Sequence, residues 1–204
     1  MGGGESIKFD VYFDYTCPFV YRAAGLVEAV RGSGVRDVEV RWRYFSLTQV
    51  NSKDDGWTVW DAPPTERVRG RLAFQAAEAA RRQGRFDQMH RALLDARHRD
   101  RLDLDDDGVV ERVASETGLD LERFRRDLAD PSTLDALASD HLGGVTEHGV
   151  FGTPTFVFAD GAAAYVRLGE LAGEKDGAVE IFDRLVAVAA SEPRILEIKR
   201  PYKR

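Results

Sequence analysis

The chain has 204 residues, 43% hydrophobic and 31% charged, with a net charge of −6, enough for one sizeable core or one domain carrying a large insertion. An acidic balance without a dense basic face excludes nucleic acid as the main partner, and no hydrophobic run is long enough to cross a bilayer. A single cysteine excludes an intrachain disulfide framework and suits a reducing compartment, so a soluble cytoplasmic protein is expected.

Residues 1–5 read as a flexible glycine-rich terminus. Gly2 and Ser6 fit the loose myristoylation pattern, but the stretch has neither the basic nor the apolar region of a secretory signal. Residues 7–13 read as a buried strand. Residues 17–31 read as a helix, with Val20, Ala23, Ala24, Val27 and Val30 at helical spacing, stopped by Gly32-Ser33-Gly34. Residues 38–45 alternate, with Val38, Val40, Trp42 and Tyr44 on one face, and read as a second strand.

Residues 46–64 form an aromatic loop holding Asn51, Trp57 and Trp60. Two readings stand for it: a cap on a substrate pocket, or a cover over an exposed core edge. Residues 66–148 are dominated by helical patterns, the first spanning 66–84. Residues 155–159 and 163–168 read as a hairpin turned at Asp160-Gly161, and 177–190 as a last amphipathic helix. The predicted order is β-α-β, helical insert, β-β-α, an α/β fold. The predicted units are 6–48 with 149–191, a helical insertion over 65–148, and flexible termini at 1–5 and 192–204. The basic tail from Lys199 to Arg204 reads as solvated.

Cys17 is the only cysteine. It falls where strand gives way to helix, with Pro18 suited to a helix's first position. Unpaired N–H groups and the dipole at a helix start favour a thiolate; the competing reading is a small buried hydrophobe. Val20 stands where a dithiol motif has its second cysteine, so any disulfide of Cys17 is with another molecule. Tyr21, four residues on, shares its helix face and reads either as a donor to the thiolate or as core packing. Asp14 reads as a helix cap or a nearby proton acceptor.

Pro154 at the entry to an apolar strand cannot donate to a ladder. A cis peptide after Thr153 resolves that conflict and leaves the Thr153 backbone at the strand edge for an extended thiol-containing substrate; an ordinary trans edge proline is the other reading. Asp103 to Gly108 opens like a calcium loop, but the closing glutamate position is Ala114, and an aspartate-rich helix start explains the run. His90, His98, His141 and His148 lack zinc spacing. His90 lies on an apolar stripe and reads as a core residue; His148 precedes the Gly149 string. No metal is expected.

The strings Phe13-Asp14-Tyr15-Thr16-Cys17-Pro18, Trp42-Arg43-Tyr44-Phe45-Ser46-Leu47 and Gly149-Val150-Phe151-Gly152-Thr153-Pro154-Thr155-Phe156 resemble, in that order, the signatures of the DsbA-like form of the thioredoxin fold. The related kappa-class glutathione transferases and 2-hydroxychromene-2-carboxylate isomerases have a serine where Cys17 stands. The resemblance implies that Cys17 packs against a cis Pro154 and that Thr153 binds the substrate backbone. With Val20 in place of a resolving cysteine, an outside thiol such as glutathione or mycothiol must release a mixed disulfide. The expected function is a monothiol oxidoreductase acting on a disulfide or an electrophile, with no tightly bound cofactor. A transferase- or isomerase-like enzyme and a redox-inactive binding protein are the alternatives. The helical insertion offers a lid or a homodimer surface.

Overall fold

In the computed structural model, which describes residues 6–170, 175–192 and 194–198, strand β1 (Ile7–Phe13) lies at the centre of the sheet. It runs parallel to β2 (Val38–Tyr44), with Phe13 opposite Tyr44, and antiparallel to β3 (Thr155–Phe158), with Val11 opposite Phe156. Strand β4 (Ala163–Tyr165) closes the order β2-β1-β3-β4. A parallel β1–β2 pair needs a crossover, supplied by α1 (Pro18–Ser33). The later strands need only the turn around Gly161.

Alternation sorts the side chains of β1 onto two faces. Phe9, Val11 and Phe13 enter the main core with Phe156 and Phe158. Beneath them lie α1 and α8 (Lys175–Ala189), and Phe182 of α8 meets Phe9 at a ring separation of 5.6 Å. Tyr12 points the other way and joins Phe45, Val150 and Val157. Over that face runs α7 (Asp135–His148). Its Gly144 comes so close that an added Cβ would sit 2.6 Å from the Tyr12 ring.

Between β2 and β3 come α2 (Leu47–Val50), α3 (Arg71–Arg81), α4 (Phe86–His98), α5 (Asp107–Glu116), α6 (Leu121–Leu128), a single 3-10 turn (Pro131–Leu134) and α7. Aspartates start several of them: Asp106, Asp120 and Asp130 each accept from backbone N–H groups of the following turn. The calcium-like run is thereby spent on structure, and Asp103 and Asp105 accept from Arg67 and from the Gly70 N–H. The fully buried Ala76, Ala77, Ala79 and Ala80 let neighbouring helices approach α3 closely, and the same apolar core continues from the sheet into these helices.

Two predicted boundaries move. The helix expected over 66–84 begins only at Arg71. The Arg71 guanidinium takes the carbonyls of Ala62, Pro63 and Glu66, and Gly70 sits at φ +81, outside helical space. The strand expected to run to Leu168 ends at Tyr165. Val166 N–H still bonds the Pro154 carbonyl, but proline has no N–H to return and the ladder stops. Lys199 to Arg204 and residues 1–5 lie outside the described residues. The arrangement is a thioredoxin-like α/β fold with a helical insertion between its second and third strands.

Candidate active site

The turn after β1 delivers Cys17 as the residue capping α1, in extended conformation (φ −88, ψ 116), with Pro18 first in the helix. Cys17 N–H bonds the Asp14 carbonyl and Val20 N–H bonds the Cys17 carbonyl. Pro18 has no N–H, so the Phe19 N–H is the first-turn donor left over for an anion. Cys17 is 5% exposed, and its Sγ donates to the Thr153 carbonyl at 3.3 Å. The Thr153–Pro154 peptide is cis. The structure therefore brings together the three residues central to the sequence reading, Cys17, Thr153 and Pro154. It also shows the Thr153 carbonyl, expected to face substrate, engaged by the thiol.

Asp14 does not cap α1. Its buried carboxylate accepts from Thr16 N and Thr16 Oγ1, both at 2.7 Å, and from Leu47 N at 2.7 Å, tying the turn to the start of α2. Burial holds the carboxyl above its ordinary range against the pull of these three donors and of Arg69. On the opposite side, His98 of α4 bonds the Tyr15 carbonyl through Nε2 at 2.8 Å and stacks on the Tyr21 ring, with ring centres 5.5 Å apart. Burial depresses the His98 pKa, so the ring is a neutral donor. Burial and the neighbouring Asp95 carboxylate raise the Tyr21 pKa, and Arg91 lies 5.0 Å over its ring. Tyr21 is thus committed to α4 rather than to the sulfur.

The aromatic loop turns inward. Trp57 and Trp60 are half-buried against the main core, and Trp60 lies 5.4 Å from the His141 ring. Gln49 fixes the loop by donating to the Trp57 carbonyl and accepting from Val59 N–H. Asn51 is exposed and donates to the Leu47 carbonyl of its own helix. His90 is a core residue: Tyr15 hydroxyl meets its Nδ1 at 3.1 Å, and burial pushes its pKa down to about 3. His148 packs against Tyr12 on the other face of the sheet.

Sequence reasoning missed the charged frame around Cys17. Phe19, two residues on, lies under the guanidinium groups of Arg22 and Arg167, at 5.5 and 4.2 Å. Arg22 also donates to the Leu168 carbonyl, fastening α1 to the chain beyond β4. At the Gly152 side, Phe151 is 66% exposed and pairs with Tyr165 at 5.1 Å, an aromatic lip beside Thr153. On the other side, Tyr15 and Thr16 line a cavity of about 370 Å³ shared with Arg69, Arg97 and Arg101.

Residues 8–175 match the DSBA-like thioredoxin domain model. The chain belongs to that family. A solved thioredoxin-like oxidoreductase from Silicibacter pomeroyi superposes on this DSBA-like domain with a TM-score of 0.61 at 25% identity, covering 90% of this chain and 88% of that one. The cytosolic disulfide reductase DsbM from Pseudomonas aeruginosa, solved with GSH, shares the fold at a TM-score of 0.59 and 17% identity, covering 89% of this chain and all (100%) of its own. Among curated proteins, a Na(+)/H(+) antiporter NhaA of Salinispora tropica is 36% identical over 147 residues, 71% of this chain. The chain spans only 19% of that antiporter's length, and no helix among the described residues is long and apolar enough to cross a membrane.

Proposed function

We propose that this DSBA-like domain is a thiol–disulfide oxidoreductase that works with Cys17 alone and borrows its second thiol from solution. The observation that carries the reading is the placement of the chain's one cysteine at the start of α1, with Sγ 3.3 Å from the Thr153 carbonyl. The thiol loses its proton to solvent, releasing the Thr153 carbonyl, and the sulfur anion sits at the start of α1, where the helix dipole favours negative charge. It attacks one sulfur of a disulfide, forming a Cys17–substrate disulfide and expelling the other half as a thiolate, which takes up a proton. With Val20 where a resolving cysteine would stand, a second small thiolate attacks the substrate sulfur of that adduct and expels the Cys17 thiolate. The net change is exchange of one thiol for another across a disulfide, with no external oxidant. Glutathione and mycothiol are the proposed small thiols, and DsbM, of the same fold, was solved with GSH. Such chemistry fits a reducing cytoplasm.

A second reading rests on the same bond. Cys17 is a donor in this structure, so its S–H has the geometry to donate instead to a bound thiolate that is itself the nucleophile, as in a transferase. Replacing Cys17 by Ser separates the two, since serine keeps a donor and loses the sulfur. Exchange assayed with a small mixed disulfide is expected to vanish in Cys17→Ser and Cys17→Ala alike. Retention of turnover by Cys17→Ser with loss in Cys17→Ala would hand the site to the transferase reading.

A further inference from the structure

The cavity beside Thr16 is built for negative charge. It is lined by Arg69, Arg97 and Arg101, facing two carboxylates, Asp103 and Asp105. Both acids are already occupied. Asp103 pairs with Arg67 at 2.9 Å and accepts from Asp105 N–H, while Asp105 accepts from Gly70 N–H at 2.8 Å. The arginines are not. Among the described residues no carboxylate lies within ion-pair distance of Arg69, Arg97 or Arg101, in a chain that otherwise makes many such pairs. Arg97 is positioned by one bond to the Leu102 carbonyl. Arg101 is held at φ +59, among the described residues the one other than glycine in left-handed space, a conformation of the kind that gathers at ligand sites. In a protein of net charge −6, this concentration of unpaired guanidinium is local and specific. Arginine's planar fork binds a carboxylate bidentately.

The cavity lies beside the turn that carries Cys17. Thr16 lines it, and Thr16 precedes Cys17. Its volume, about 370 Å³, is that of a small-molecule pocket. In a tripeptide thiol the sulfur is carried by the middle residue, so a terminal carboxylate lies roughly 7 Å from it at about 3.3–3.6 Å per residue, the span asked of a thiol that meets Cys17 and the arginines together. The geometry points to a carboxylate subsite beside Cys17, which makes the small thiol of this enzyme an acidic peptide thiol of the glutathione type rather than an uncharged sugar thiol of the mycothiol type. This inference rests on the monothiol reading above, since it names the partner of the same cysteine.

The test uses the full-length chain with Cys17 carried as its thiopyridyl disulfide, releasing thiopyridone as an incoming thiol attacks. Glutathione, glutathione diethyl ester and mycothiol are compared at equal thiolate concentration. Glutathione is expected to react faster than its ester and than mycothiol by about tenfold or more, the range for hydrogen bonds to a charged group. The glutathione-to-ester ratio should fall toward one in Arg69→Gln and Arg101→Gln, recover in part in Arg101→Lys, and shrink with added salt. Equal rates for glutathione and its ester in the parent protein, both faster than with a free cysteine adduct, would overturn the subsite. A second readout needs no sulfur chemistry: S-methylglutathione and its diester titrated calorimetrically into the unmodified protein. Binding of the acid, weaker for the diester and weaker in Arg101→Gln, supports the subsite even if every thiol attacks the adduct no faster than it attacks a free cysteine adduct, an outcome that sinks the monothiol reading alone. No binding of either compound sinks the subsite.

Discussion

The turn that carries Cys17 is gripped from two sides, and the two grips differ in kind. On one side a buried carboxylate, Asp14, accepts three short hydrogen bonds and joins the turn to α2. On the other a neutral ring, His98, gives one bond to the Tyr15 carbonyl and stacks on Tyr21. The first grip uses three acceptor sites on both carboxylate oxygens, taking backbone and side-chain donors from two segments; the second is a single contact backed by packing against α4. The Cys17 sulfur is therefore indexed mainly to the strand–α2 side, and α4 steadies it from the rear. The grips also answer acid with opposite sign. Asp14 has a raised pKa in the folded protein, so its contribution is fullest below the unfolded value, near 3.8, and declines as pH rises through the folded one. His98 has a lowered pKa, so its contribution is full above about 6.5 and is lost as pH falls.

The largest effect is expected at Asp14. Asp14→Ala strands the N–H groups of Thr16 and Leu47 in a buried site and should cost about 3–5 kcal/mol of stability, read from urea midpoints, with exchange activity falling in parallel. Asp14→Asn is no gentle alternative, because whichever way its amide is turned an NH2 group faces an N–H donor. If Asp14→Ala unfolds like the parent, the grip assigned to this carboxylate is wrong.

Gly70 comes next. It sits at φ +81, and a Cβ there would lie 3.2 Å from Thr16 Cγ2. Gly70→Ala should cost about 1–3 kcal/mol, from left-handed backbone and crowding together. Combining it with Thr16→Ser, which removes that methyl and keeps the hydroxyl, should return only the steric share. Full recovery in the double variant would show that the backbone carries none of the cost.

His98→Gln should cost about 1 kcal/mol at pH 8 and flatten part of the stability loss between pH 7 and 5. It cannot flatten all of it, because His90 and His141 are also buried neutral, with pKa values pushed to about 3 and about 4. Both add to the same downward slope as pH falls. An unchanged slope in His98→Gln would mean that this ring does not titrate with folding.

Much of this site could be read from the chain because local periodicity carries it. The alternation of 38–45, the helical stripe after Cys17 and the apolar run after Pro154 each reveal one element, and the turns between them place Cys17 and Thr153 at neighbouring ends. What escaped were partners distant in sequence. Asp14 meets Leu47, Tyr15 meets His98 and Thr16 shares a cavity with Arg101, pairings that no spacing of two, three or four residues encodes. The tryptophans of the 46–64 loop show the same limit. Their chemistry suits a pocket rim or a core edge equally, and only the Gln49 bonds that fold the loop inward decide where they lie. Arginines were the hardest to read, since in a chain with 31% charged residues an unpaired guanidinium looks like any solvated one until its neighbours are known.

The smallest effect bears most directly on the chemistry. Tyr21 lies one helical turn beyond Cys17, the position from which a hydroxyl would be expected to serve the sulfur. Here the Asp95 carboxylate lies near the hydroxyl, and the ring stacks on His98 with Arg91 5.0 Å over it. Tyr21→Phe removes the hydroxyl and keeps the stack, so stability should change by less than about 1 kcal/mol and the Cys17 exchange rate by no more than about threefold, well under the tenfold that 1.4 kcal/mol would bring. Tyr21→Ala removes the stack as well and should loosen His98, making the parent-like acid response resemble that of His98→Gln. Should Tyr21→Phe alone slow exchange by two orders of magnitude with stability intact, the phenol reaches the reacting sulfur during turnover. The α4 side would then be part of the catalytic machinery rather than a brace behind it.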